Sequence, residues 1–146
     1  MQIETRRLWL RDFTLNDVQA VHAFDSDPEL RRYRGGGRVT EEDTRAFIER
    51  TLQWQREEPR PTFAFAVVLQ TLPETVGVVC LTITRREWNE AELWYRLSRK
   101  HWQKGYITEA AKAMLSFGFT TLHLHRIWAI ATLTILLLGA SWKRLE

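Results

Sequence analysis

The sequence predicts a mixed α+β fold in which helices pack on a central, mostly antiparallel twisted sheet. Three observations carry this. Apolar alternation and β-branched runs recur at 3–13, 63–69, 76–83, 90–97 and 125–132. Helical spacing with capping signals falls between some of them, giving the order β, α, α, β, β, β, α, β. The chain has 146 residues, with 45% hydrophobic and 27% charged residues, which is one ordinary globular domain spanning 1–146.

Each element has a local reason. Residues 3–13 alternate, with Leu8 and Leu10 on one face, and Thr14 bounds them as a first strand. Thr14-Leu-Asn-Asp17 reads as a capping box opening a helix through Val18, Val21, His22 and Phe24. Pro28 opens a second short helical turn toward Tyr33, which Gly35-Gly-Gly37 breaks. Thr40-Glu-Glu-Asp43 caps a further helix, with Phe47, Ile48 and Leu52 spacing it to about Gln55. Phe63–Leu69 and Val76–Ile83 flank Pro73-Glu-Thr75 as a hairpin, and Glu90–Leu97 is the next strand. A helix through Glu109–Phe119, starting at about Ile107 or Thr108, carries the apolar stripe Ala110, Met114, Leu115 and Phe117.

Charge and cysteine usage narrow the function classes. Net charge is +3, from 21 Lys+Arg and 18 Asp+Glu, which is not the footprint of a dedicated nucleic-acid binder. The lone Cys80 forms no internal disulfide, which suits a reducing, cytoplasmic setting, and its apolar strand suggests core rather than nucleophile. The first residues lack the apolar core of a signal peptide. The uncharged run Ile127–Trp142, 16 residues, is shorter than the roughly 20 a membrane span needs. The four histidines have no metal-ligand spacing with Cys80, so no metal is expected.

The most informative segment runs from Glu90 to Ala111. A strand leads into a basic turn holding Gly105, and a helix follows. A helix N-terminus offers unpaired N–H groups and partial positive charge, so such a turn can hold a phosphate. The plainer reading is an ordinary β-to-α turn with a helix cap.

Ala91-Glu-Leu-x-Tyr95 followed by Trp102-x-Lys-Gly-Tyr-x-Thr-Glu-Ala110 resembles the cofactor motif of the GNAT superfamily of N-acetyltransferases. The match is closest to the ribosomal-protein N-terminal acetyltransferases of RimJ/RimL type. Further resemblances follow in chain order: Glu4-Thr-Arg-Arg-Leu-x-Leu-Arg11 to the family's first strand, and Asp25-Ser-Asp-Pro-Glu-Leu-x-Arg-Tyr33 to the segment between its first helices. Leu122-His-Leu-His-Arg126 resembles the approach to its fifth strand.

The resemblance implies acetyl-CoA as cofactor and a primary amine, a protein N-terminal α-amine or a small amine, as acceptor. It implies that Trp102, Gln103, Lys104, Gly105, Tyr106, Ile107 and Thr108 form the turn whose amides cradle the cofactor's pyrophosphate. It also implies that the strand ending near Leu97 splays from its neighbour and binds the pantetheine arm. Glu92 matches a family carboxylate that serves as general base, with a solvent-facing strand carboxylate as the plain alternative. Arg32, Tyr33 and Trp94 fall on the substrate side. The chain departs from the family at three places. Ile107 replaces a small residue, and Trp94 and Gln103 stand where Gly is common, Trp94 adding bulk near the acetyl group.

Two other readings accompany this one. Arg31-Arg-Tyr-Arg-Gly-Gly-Gly-Arg38 could bind nucleic acid, although a flexible, charged substrate-side loop explains it more simply. An impaired pseudoenzyme of the same fold is the other. Residues 132–146 lack the family's next motif, yet one set of codons for Thr132–Glu146, read two bases later, encodes Pro-Asp-Asn-Ile-Ala-Ser-Trp-Arg-Val-Leu-Glu-Ala-Leu-Gly. The expectation is a frameshift or truncation after about Thr132, an atypical tail and the loss of the usual last strands. The apolar surface and strand edge thus left would favour pairing with a second copy.

Overall fold

The computed structural model describes residues 1–30 and 37–129. Its centre is a six-stranded sheet in chain order: β1 (Gln2–Glu4), β2 (Leu8–Asp12), β3 (Thr62–Leu69), β4 (Thr75–Arg85), β5 (Glu90–Leu97) and β6 (Arg126–Trp128). All neighbouring pairs are antiparallel except β5–β6, which is parallel. Helices α1 (Val18–Asp25) and α2 (Glu41–Arg56) precede β3, and α3 (Tyr106–Ser116) connects β5 to β6. The mixed fold and its mostly antiparallel sheet agree with the sequence expectation, and the element order does so apart from the first strand.

Both sheet faces are covered. β3 is buried along its whole length, and its side chains divide by the two-residue period of a strand. Phe63, Phe65, Val67 and Leu69 join α3 residues Ala110, Ala111 and Met114 in one core. Ala64, Ala66 and Val68 join Val21, Phe24 and Ile48 of α1 and α2 in a second. Small alanines on that face let the two helices approach the sheet closely, while Phe65 fills the opposite layer.

The single strand expected at 3–13 is instead a hairpin. Its two arms pair in the register Gln2↔Arg11 to Glu4↔Trp9 across a turn at Thr5–Arg7. Thr5 makes the turn locally: its amide donates to the Leu8 carbonyl (2.9 Å) and its Oγ1 accepts from the Leu8 amide (3.0 Å). Alternation continues through the turn, so the pattern alone did not reveal it.

Both capping boxes are present, at Thr14/Asp17 and Thr40/Asp43, although the first opens a 3-10 turn over Leu15–Asp17 before α1 begins. Asp17 is also a structural node. It accepts from both Arg11 terminal nitrogens (3.0 and 2.8 Å), the Thr14 amide (2.8 Å) and the Thr75 hydroxyl (2.8 Å). Burial pushes its carboxyl up, but these donors outweigh burial and hold it below the ordinary carboxylate range. α3 begins one or two residues earlier than expected, and its C-terminal turn widens into a π-turn over Phe117–Thr121. Cys80 is fully buried in the second core, and loss of hydration drives its thiol far above the ordinary range. It is packing, not a nucleophile.

Candidate active site

The site is built on β5 and the turn that follows it. Alternation sends Ala91, Leu93 and Leu97 into the α3-side core. Glu92, Trp94 and Arg96 therefore lie on the α1–α2 face, opposite Thr82, Cys80 and Val78 of β4. Glu92 is partly exposed and makes no side-chain hydrogen bond or ion pair among the described residues. Trp94 donates its indole N–H to Thr82 Oγ1 (3.1 Å) and meets Phe47 edge-on at 6.2 Å. Its polar end is thus drawn over β4, away from the β6 side of β5.

Arg96 is the charged centre of this face. Its Nε and Nη2 donate to Asp25 Oδ1 and Oδ2 (3.0 and 3.1 Å), with only 10% and 6% of the two side chains exposed. The guanidinium lies over the Phe47 ring at 4.8 Å and the Trp94 ring at 5.4 Å. The pair ties the last residue of α1 to β5, and both rings border its cation.

Pairing with β6 covers Glu90, Ala91 and Glu92 alone. Among the described residues, Leu93–Leu97 has no strand partner on that side. On the other side the pairing is tight. Gly77 faces Leu97, and a Cβ at Gly77 would come within 2.6 Å of the Arg96 carbonyl oxygen.

The chain leaves β5 through a 3-10 turn at Arg99–His101, and Trp102 donates its indole N–H back to the Leu97 carbonyl (2.9 Å). Gln103 and Gly105 then take left-handed backbone conformations, with φ of 62° and 80°, before α3 starts at Tyr106. The first amide of α3 with a protein acceptor is Glu109, to the Gly105 carbonyl (3.0 Å). Among the described residues, the six consecutive amides of Gln103–Thr108 donate to no protein acceptor. Left-handed turns and a helix start bring such amides into an anion-binding concavity. The residues present fit a diphosphate.

Two of the sequence departures have a local structural account. Ile107 packs its side chain against the α3-side core, leaving its amide unengaged. Gln103 adopts the left-handed conformation that a glycine would hold without cost. Replacing Gln103 with Gly is expected to leave the turn's geometry unchanged and stabilise the protein by about 1 kcal/mol. Thermal melting of the two proteins checks this.

A contact set with no sequence-derived role braces the turn from outside. Glu109, in the first turn of α3, accepts from the Thr5 hydroxyl (2.5 Å), the Arg7 amide (2.8 Å) and Arg7 Nε (2.7 Å). Burial raises the Glu109 carboxyl, but these bonds and the Arg7 charge outweigh it and hold it low. His101 shifts down, first through burial and then through the Lys104 and Lys100 charges, and both ring nitrogens are buried without a hydrogen-bond partner.

Arg32, Tyr33 and most of Arg31–Arg38 lie outside the described residues, as does the tail from 130 onward with its expected frameshift. A cavity of about 360 Å³ opens at the other end of β5, lined in part by Arg60, Phe63, Ile83 and Arg86. None of the sequence-predicted site residues lines it. Among the described residues, no helix is long and apolar enough to cross a membrane.

The acetyltransferase (GNAT) domain family matches residues 7–133, nearly the whole described chain and all of the strand–turn–helix unit. The chain belongs to the GNAT acetyltransferase family. The uncharacterized N-acetyltransferase YnaD of Bacillus subtilis (strain 168) is 33% identical over 129 residues, covering 88% of this chain and 72% of that protein. The spermidine N(1)-acetyltransferase of Escherichia coli (strain K12) is 27% identical over 124 residues, 83% of this chain and 62% of that one. The crystal structure of a GNAT-family acetyltransferase from Bacillus anthracis superposes with a TM-score of 0.83 at 30% identity, over 100% of this chain and 82% of that one. GNAT enzymes take their acetyl group from acetyl-CoA, so this chain is an acetyl-CoA-dependent N-acetyltransferase.

Proposed function

We propose that the chain transfers the acetyl group to a primary amine, and that the acceptor is a protein N-terminal α-amine. The observation that carries the site assignment is the row of six unengaged amides at Gln103–Thr108, set at the N-terminus of α3. When bound there, acetyl-CoA supplies an acetyl group activated as a thioester.

The chain's own groups divide the remaining work. The Gln103–Thr108 amides, with Trp102 and Lys104 beside them, hold the diphosphate. The β5 backbone up to Leu97 would hold the pantetheine arm by hydrogen bonds and would offer an amide where charge develops on the carbonyl oxygen. Glu92 removes the proton from the incoming ammonium, directly or through one water, since only the neutral amine is nucleophilic. As the C–N bond forms the thioester C–S bond would break, and the departing sulfur would take the second proton lost by nitrogen, directly or through water. Trp94 borders the acceptor. The ordered resemblance to ribosomal-protein N-terminal acetyltransferases supports the α-amine, and the likeness to a spermidine acetyltransferase makes a polyamine the competing acceptor.

Calorimetric titration with acetyl-CoA, followed by thiol release with N-terminal peptides and with spermidine, tests both levels. Saturable binding and release with peptides are expected. A folded protein that gives no binding heat overturns the assignment of the turn. Release with spermidine and not with peptides overturns the acceptor.

A further inference from the structure

We propose that Arg7 is a positioning residue of the diphosphate cradle, setting its geometry and cancelling the one carboxylate built into it. The inference rests on the reading of Gln103–Thr108 as the cofactor turn. Arg7 belongs to the β1–β2 hairpin, about a hundred residues from that turn in sequence, yet it touches the turn at successive points. Nη1 donates to the Lys104 carbonyl (2.9 Å), the guanidinium lies over the Tyr106 ring at 4.4 Å, and Nε holds Glu109 (2.7 Å). A Cβ placed on Gly105 would lie 3.2 Å from Nη2.

The contact with Lys104 acts through the planar peptide. The carbonyl of Lys104 and the amide of Gly105 share one trans unit and point in opposite directions. Fixing that oxygen on Arg7 therefore turns the Gly105 N–H away from Arg7, into the row of unengaged amides. Binding then needs less reorganisation of a turn whose backbone lies in left-handed conformations at Gln103 and Gly105.

Glu109 supplies the electrostatic half. A carboxylate in the first turn of α3 favours the helix but repels an anion arriving at the same end. Its oxygens are taken up by the Thr5 hydroxyl and by Arg7's amide and Nε, and the Arg7 charge offsets its own. The turn can then present a net attraction to a diphosphate.

The test compares wild type with Arg7→Lys, Arg7→Met and the Arg7→Met/Glu109→Gln pair. CoA affinity is read by calorimetry, and amide hydrogen exchange at residues 103–108 is read without ligand. Arg7→Lys keeps the charge and loses the forked geometry, so it is expected to melt near wild type, exchange faster at the turn and bind CoA several-fold more weakly. Arg7→Met should lose tenfold or more, with the pair recovering part of that loss. In steady state, KM for acetyl-CoA rises while kcat and KM for the amine hold. Wild-type CoA affinity and turn exchange in both single variants overturn the proposal, and full recovery in the pair reduces Arg7 to a charge. A wild-type protein that fails to bind CoA instead removes the cofactor turn itself.

Discussion

Replacing Glu92 with Gln is expected to lower kcat/KM for the amine about 100-fold or more, in the range typical of a lost general base. Acetyl-CoA affinity and melting temperature should stay at wild-type values. The second expectation follows from the side chain making no hydrogen bond or ion pair among the described residues, so its neutral isostere leaves no partner unsatisfied. The pH dependence separates a base from a merely polar wall. If Glu92 takes the ammonium proton, the defect must shrink as pH approaches the acceptor's own pKa, because the amine then arrives already neutral. For an α-amine that convergence falls near pH 8, whereas for an aliphatic side-chain-like amine it falls toward about 10. One pair of pH–rate profiles thus reads both the role of Glu92 and the class of acceptor. A defect below threefold at pH 7, or one independent of pH, would remove Glu92 from the proton transfer.

Local chemistry was legible in the sequence, and long-range chemistry was not. The boundaries of β5 agree residue for residue, and both capping boxes form, because each is decided by a few neighbouring side chains. The buried stripe of α2 was only partly read: Ile48 is in the core, but Thr44 and Thr51 are buried beside it while Leu52 is partly exposed. Those threonines bury cheaply because their hydroxyls donate back to the Thr40 and Ile48 carbonyls. The proposed cofactor turn stood out in the sequence as a motif, but the contacts that brace it did not. Arg7–Glu109 spans 102 positions and Asp25–Arg96 spans 71, and no periodicity links residues that far apart. A charge placed next to an apolar strand, as at Arg96, was the available signal that a buried partner had to exist.

Asp25→Ala is the substitution expected to cost most stability, about 3–5 kcal/mol, because it strands the Arg96 guanidinium without its counter-charge. That loss is a large share of the roughly 5–15 kcal/mol that holds a domain of this kind together, and it corresponds to a fall of about 10–20 °C in melting temperature. The geometry explains the size. Both Asp25 oxygens are engaged by Arg96, both side chains are at least nine-tenths buried, and Phe47 and Trp94 keep water from replacing the lost carboxylate. The Arg96 stem is held by β5, so the charge cannot swing out to solvent without breaking the ring contacts. The double variant Asp25→Ala/Arg96→Met removes both charges and keeps an apolar chain against the two rings, so most of the loss should be recovered. Urea unfolding of the four proteins completes the cycle, and a single-variant cost below about 1 kcal/mol would show that solvent reaches the pair. The same cycle bears on the acceptor face. Arg96 lies over the ring of Trp94, the proposed acceptor-side residue, so Asp25→Ala should raise KM for the amine more than KM for acetyl-CoA, whose proposed turn lies beyond the end of β5.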